Sequence, residues 1–213
     1  MEILYLDPSW LVVNKPAGMA SVPGGGEIPG SSLYEQLQMV YGKLWIVHRL
    51  DKDTTGVILF ARNAVTHRGL SLLFEKRAVN KIYHAFLNGL PPWTETTANY
   101  SLRAKVGHKR RTAVDQQRGQ PAVTHFRILK CFSSYVLVEA IPETGRTHQI
   151  RAHAAALGFP IVGDRLYGAP AGQDFSLSRP ALHAYSLSFQ WEGRTYTFTA
   201  PYPQDFARLL EKM

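Results

Sequence analysis

The sequence predicts an α+β fold, a mixed, mainly antiparallel sheet with flanking helices, formed as one domain over residues 1–213. Three observations point to that class. Segments with strand character outnumber those with helical periodicity. Many neighbouring strands are separated only by turn-length connections. Val57-Ile58-Leu59-Phe60 is an unbroken apolar run of the kind that a sheet buries on both faces. With 45% apolar and 19% charged residues, the chain can build a real core and does not have the composition of a disordered one.

The elements follow in order. Residues 2–6 and 10–14 read as two short strands around the turn Asp7-Pro8-Ser9. Residues 15–30 carry Pro16, Pro23, Pro29, Gly18, Gly24, Gly25, Gly26 and Gly30, a density that excludes a helix or central strand and predicts a mobile loop. Ser31-Ser32 offers a helix cap with Glu35 at the capping-box position, and Leu33, Leu37 and Val40 continue at helical spacing to Gly42. Asn63 caps a second helix through Lys76. Residues 79–89 form a strand with Lys81, Tyr83, Ala85 and Leu87 on one face and Ile82, His84, Phe86 and Asn88 on the other, ended by Pro91-Pro92. Residues 99–128 read as antiparallel hairpins and 135–141 as a further strand. A helix from Thr147 to Leu157 closes at Gly158 and stops at Pro160. A last hairpin, 182–190 with 195–200, turns at Glu192-Gly193, and a short helix covers 203–211. No repeat, low-complexity segment or linker divides the chain.

Several classes are excluded. No apolar stretch approaches the roughly 18 residues of a membrane span. The start, Met1 to Asp7, lacks the cationic-then-apolar pattern of a secretory signal. Cys131 is the single cysteine, so no intrachain disulfide or cysteine-based zinc site forms. A cytoplasmic protein without a membrane partner is expected. The eight histidines show no HExxH or similar spacing, and no metal is expected. Lysine and arginine total 24 against 16 acids, a net charge of +8. Such a chain is drawn to RNA, DNA or anionic lipid, unless the charge serves only solubility.

Three segments are dense in functional side chains. His48-Arg49-Leu50-Asp51-Lys52-Asp53-Thr54-Thr55-Gly56 leads directly into the buried strand, a polar loop on a rigid anchor. The plain alternative is a solvated turn with Asp51 or Asp53 as a local cap. Glu143 to His153 contains Arg146 at a helix entrance, where an arginine pairs readily with a carboxylate or phosphate. His148 and His153, five residues apart and so roughly 140° apart around a helix, read as hydrogen-bonded helix residues rather than metal ligands. Residues 103–118 hold Arg103, Lys105, His108, Lys109, Arg110, Arg111 and Arg118 against one acid, Asp115. On a hairpin these make either a finger that grips RNA phosphates or a solvated loop.

Together these residues resemble a family. His48-Arg49-Leu50-Asp51 with Thr54-Thr55-Gly56 is similar to the signature of the RluA-type RNA pseudouridine synthases. Asn14-Lys15-Pro16-Ala17-Gly18 resembles its NKPxG segment, Lys81-Ile82-Tyr83-His84-Ala85 its KxYxA segment, and Thr144-Gly145-Arg146-Thr147-His148-Gln149-Ile150-Arg151 its TGRxHQIR segment. Gly163-Asp164-Arg165-Leu166-Tyr167-Gly168 and Leu182-His183-Ala184 resemble two later blocks. The six blocks keep the family's order from residue 14 to residue 184. The resemblance implies the pseudouridine synthase catalytic fold, with Asp51 as the catalytic residue, Tyr83 as an active-site tyrosine and Arg146 as the partner of the aspartate. It also suggests that Arg49 fills the space left by a flipped base. Many relatives carry an S4-type RNA-binding domain ahead of the catalytic one. The first block here begins at residue 14, so none is expected.

The implied reaction isomerises specific uridines in tRNA or rRNA. The C1′–N1 bond breaks, the uracil turns, and C5 bonds to C1′. No group enters or leaves and nothing is oxidised, so no cofactor is expected. The carboxylate acts either as nucleophile at C1′ or as base at C2′. The expected partner is RNA rather than DNA, and the expected state a monomer. The competing reading is a non-catalytic RNA-binding or ribosome-assembly protein on the same fold.

Overall fold

The computed structural model describes residues 1–24, 28–107, 111–168 and 177–211. Along the chain lie β1 (Glu2–Leu6), β2 (Trp10–Lys15), α1 (Leu33–Tyr41), β3 (Trp45–Ile46), β4 (Thr55–Ala61) and α2 (Ala64–Glu75). Next come β5 (Val79–Asn88), β6 (Glu95–Asn99), β7 (Leu102–Val106), β8 (Arg111–Val114), β9 (Val123–Cys131) and β10 (Tyr135–Pro142). The chain continues with α3 (Gln149–Ala156), β11 (Leu182–Trp191), β12 (Arg194–Thr199) and α4 (Gln204–Glu211). The α+β class is the one expected. The chain forms two compact units, Met1–Lys81 with Ala184–Pro203, and Ile82–His183 with Gln204–Met213.

In the first unit β1, β2 and β4 pair antiparallel, β3 pairs the end of β4, and β12 pairs β11. All seven residues of β4 are buried. Trp10 sits at the centre of the core, its indole edge-on to Phe189, Trp191 and Tyr196 at 4.9 to 5.6 Å between ring centres. Val12, Val57, Leu59, Leu70, Leu187 and Phe198 belong to the same buried cluster. Helix α1 starts at a complete capping box: Glu35 N–H donates to Ser32 Oγ, and the Glu35 carboxylate accepts from Ser32 N–H at 3.1 Å. Asn63 caps α2 through the Thr66 N–H at 2.8 Å.

In the second unit β5, β10, β9 and β6 form an antiparallel ladder in that order. β7 and β8 make a separate hairpin. Leu102 of that hairpin joins Ala122, Ala152 of α3 and Tyr167 in a buried cluster, which ties the hairpin to the helix. Helix α4 is held by the Tyr135 hydroxyl on Leu209 O at 2.9 Å and by a two-pronged Arg179–Asp205 pair at 2.7 Å.

Three differences from the sequence reading have simple causes. β3 is two residues long, too short to show a period. β6, Glu-Thr-Thr-Ala-Asn, buries only Ala98 and so lacks an apolar alternation. α3 starts at Gln149 rather than Thr147 because His148 adopts a left-handed φ of 53°, which a helix cannot contain. Among the described residues, no helix is long and apolar enough to cross a membrane.

Gly56 opens β4 at φ 112°, a conformation open essentially to glycine alone, and a side chain there would run into the backbone oxygen of Ala184. Gly56→Ala is expected to lower stability by about 3 kcal/mol or more. Urea unfolding measures it, and a loss below about 1 kcal/mol would contradict the account.

Candidate active site

The turn that carries Asp51 is held on both sides. Before it, buried Ser21 donates its hydroxyl to Leu50 O at 2.7 Å and accepts from Leu50 N–H at 3.0 Å. After it, the ammonium of fully buried Lys15 donates to Lys52 O at 2.7 Å, and also to Pro16 O at 2.8 Å and Met19 O at 2.7 Å. Thr54 N–H closes the turn on Asp51 O at 3.1 Å. Residues 20 and 21 are fixed in turn by α1, whose Leu33 and Tyr34 N–H groups donate to Ala20 O and Ser21 O. The stretch expected to be a mobile loop is therefore anchored at 15–21, where side chains buried beneath it satisfy its backbone. Asp51 is partly buried and Arg49 is exposed beside it.

His48 opens the motif and is not an acid–base group. Its Nε2 accepts from Leu59 N–H of β4 at 3.0 Å, and its ring stacks on Phe74 at 4.9 Å. Desolvation, helped by the positive charge of Lys81, pushes it down to about 3. The neutral ring thus carries its proton on Nδ1 and ties the motif to the core strand.

In the second unit Tyr83 lies on β5, partly buried and opposite Ala140 of β10. His84, next along, is held below the usual histidine range by burial, partly offset by Glu139. Arg146 is exposed just ahead of α3. Its N–H donates to Gln149 Oε1 at 3.0 Å and its Nε reaches Pro121 O at 3.4 Å. Gln149 organises this loop: Oε1 also accepts from Thr144 Oγ1 at 2.6 Å, while Nε2 donates to Val123 O and Thr124 Oγ1.

The two histidines of this segment are hydrogen-bonded, as expected. His153 binds Thr124 Oγ1 and Tyr100 O, and burial lowers its affinity for a proton. His148, in the capping position, meets the Tyr167 hydroxyl at 3.2 Å. Arg151 makes a buried fork to Asp164 at 2.7 and 2.9 Å, joining the TGRTHQIR block to the Gly-Asp-Arg-Leu-Tyr-Gly block. Among the described residues, no group of three or more His, Cys, Asp or Glu is placed to hold a metal.

The basic segment is the expected hairpin. Arg103 pairs with Asp115 at 2.9 Å; Lys105, Arg111 and Arg118 are exposed. Lys109 and Arg110 lie outside the described residues. The roles of Lys15, Ser21 and Gln149 were not anticipated. Lys15 and Gln149 stand inside the quoted motifs, where an unassigned polar residue was the available signal.

The RNA pseudouridylate synthase family model matches residues 9–156. Ribosomal large subunit pseudouridine synthase D of Zymomonas mobilis is 35% identical over 230 residues, spanning 100% of this chain and 72% of that protein. The uncharacterized RNA pseudouridine synthase ZMO0505 of the same organism is 41% identical over 220 residues, spanning 98% and 96%. The structure of human RNA Pseudouridylate Synthase Domain Containing 4 superposes with a TM-score of 0.82 at 25% identity, covering 99% of this chain and 92% of that one. The chain belongs to the RNA pseudouridylate synthase family, the group its RluA-type motifs anticipated, and is an isomerase acting on uridine in RNA.

Two expectations follow. Lys15→Met leaves three backbone carbonyls without their donor and should cost about 3 kcal/mol or more. Urea unfolding gives the total, and faster amide exchange at Leu50 and Thr54 locates it; unchanged protection at both would refute the clamp. His48 binds a proton in the unfolded chain near its ordinary 6.5 but in the folded chain only near 3. The unfolded state then holds more protons between those values, so stability falls as the pH drops through this window. Between pH 7 and pH 5 the loss is about 2 kcal/mol. His84 and His153 act in the same direction, so the measure is the difference between wild type and His48→Gln. Equal acid sensitivity in both proteins would remove His48 from the account.

Proposed function

We propose that Asp51 is the carboxylate that acts at the ribose of a flipped-out uridine, and that the RNA is ribosomal. The observation that carries this reading is the clamp on Asp51, in which the residues immediately before and after it are fixed by buried Ser21 and Lys15. A short side chain on a backbone so held has only two rotatable bonds left to position it, which is what a group aimed at one sugar carbon needs.

In this reading the carboxylate either attacks C1′ or takes the C2′ proton, and the C1′–N1 bond breaks. The freed uracil turns and C5 bonds to C1′, displacing the carboxylate from C1′ in the first route or with the proton returned to C2′ in the second; the C5 proton leaves and N1 regains one. Arg146 keeps Asp51 ionised by pairing with it, Tyr83 holds the uracil face, and Arg49 occupies the space the base vacates. A basic surface from Arg103, Lys105, Lys109, Arg110, Arg111 and Arg118 grips the RNA backbone. The choice of ribosomal over transfer RNA is supported by relatives in three genera carrying the name ribosomal large subunit pseudouridine synthase D.

The test is Asp51→Asn, which keeps the size and removes the charge. On large-subunit RNA from cells lacking the gene, single-turnover pseudouridine formation should fall by about a thousandfold or more while RNA binding persists. Substantial turnover by the Asn variant would overturn the assignment. Efficient conversion of transfer RNA alone would move the substrate and leave Asp51 in place.

A further inference from the structure

The antiparallel ladder of the second unit ends at β6, and among the described residues no strand pairs its outer side. Thr94 O accepts from Ile128 N–H of β9 at 2.8 Å. Antiparallel pairing alternates from there. Thr96 and Ala98 turn their backbone groups toward β9, while Glu95, Thr97 and Asn99 turn theirs outward. These three residues are also the exposed ones of the strand. Neither a bulge nor a proline guards the edge: β6 pairs with β9 in unbroken register over its five residues. The end strand of the first unit is treated differently. β1 shifts register between Ile3 and Tyr5, and the Tyr5 ring lies 5.4 Å from that of Phe198 in β12.

Charge identifies what the edge of β6 can take. Beside it runs a groove of about 530 Å³ lined by Glu95, Thr97, His125, Arg127, Glu139 and Ile141. Its one guanidinium, that of Arg127, stands opposite Glu95 in the register but is engaged by Glu139 at 2.8 Å. His125 is occupied at both ring nitrogens, by Glu143 at 2.7 Å and by Thr97 Oγ1 at 2.9 Å. Glu95 is left with no hydrogen bond or ion pair among the described residues. Glu95, Glu139 and Glu143 thus share one arginine, on a chain whose net charge is +8. The same carboxylates repel RNA, so this edge is a different surface from the one that grips the RNA backbone.

We propose that the open edge of β6 docks an extended, lysine- or arginine-rich segment of a partner protein as an added strand. The backbone of that segment pairs with the outward groups of Glu95, Thr97 and Asn99. Its alternate side chains lie over the groove and bring a cation to Glu95. Proteins that bind RNA carry such segments to neutralise phosphates, so the partner has the chemistry of an RNA-bound protein. The proposal goes beyond the reaction and holds whichever RNA is modified.

The probe is a synthetic peptide of about seven residues that alternates lysine and valine, with a glutamate–valine peptide as control. Binding is read by fluorescence anisotropy and NMR without RNA, so the result bears on this edge and not on pseudouridine formation. The lysine peptide should slow amide exchange at Glu95, Thr97 and Asn99 and leave Thr96 and Ala98, already bonded to β9, unchanged. Glu95→Lys should weaken binding about fivefold. Thr97→Pro deletes an N–H that the β6–β9 ladder does not use, so its melting temperature should stay level while affinity falls by about tenfold or more. Should that variant melt lower, the amide pattern and Glu95→Lys decide the matter. No binding of the lysine peptide at millimolar concentration, protection of other amides, equal binding of the glutamate peptide, or undiminished binding by Glu95→Lys each overturns the proposal. Dimerisation of wild type that Thr97→Pro abolishes gives the edge to a second copy of the chain and overturns it as well.

Discussion

The buried ammonium of Lys15 is the interaction on which the site depends. Removing a charged group from water is costly, and the cost is tolerable only when each N–H finds a strong acceptor. Here three backbone carbonyls, of Pro16, Met19 and Lys52, converge on it. The group therefore dictates the path of two segments at once, the turn after β2 and the turn before β4. Ser21 repeats the device one step away, donating to and accepting from the same residue, Leu50. Helix α1 then anchors Ala20 and Ser21 with its first N–H groups, donors that a helix leaves unsatisfied in any case. Residues 16–21 are thus fixed without regular secondary structure of their own.

The second unit solves a similar problem with a neutral group. The carboxamide of Gln149 accepts twice and donates twice, so only one of its two flip states satisfies the surroundings. The backbone from Thr144 to Arg146 is thereby set against β9. Behind it the Arg151–Asp164 fork and the stacking of Arg151 over the Tyr167 ring at 5.1 Å brace the helix, and Tyr167 reaches on to the β8 backbone. Motif residues that do no chemistry are placed here as a scaffold, each holding the next.

Much of this was legible in the sequence because it is local. The capping box at Ser32 and Glu35, the cap at Asn63, the apolar run of β4 and the turn at Glu192-Gly193 are each encoded within a few residues, and each appears where expected. The motif blocks gave the family, which the comparisons bear out. What the sequence did not disclose was long-range. Nothing near Lys15 says that its ammonium ends on a carbonyl 37 positions away, and nothing near His48 says that its ring accepts from a strand 11 positions on. His48 read as one more polar residue of a functional loop; the structure makes it a neutral strut. The left-handed turn at His148 was equally hidden, since no glycine marks it and its ring meets the Tyr167 hydroxyl 19 positions on.

The discontinuity of the first unit bears on how the protein is made. The apolar cover of β2 and β4 includes Leu187, Phe189, Phe198 and Ala200, which leave the ribosome after more than a hundred residues of the second unit. During synthesis the Asp51 turn and its lysine are already present but the core beneath them is open on one side. The intervening stretch, rich in local antiparallel pairs, is free to fold first. Completion of the first unit then waits on a late hairpin, β11 with β12, whose arrival turns an exposed apolar surface into a core. A nascent chain stalled before that hairpin holds the Asp51 motif without the core beneath it, which couples the finished site to the synthesis of that hairpin.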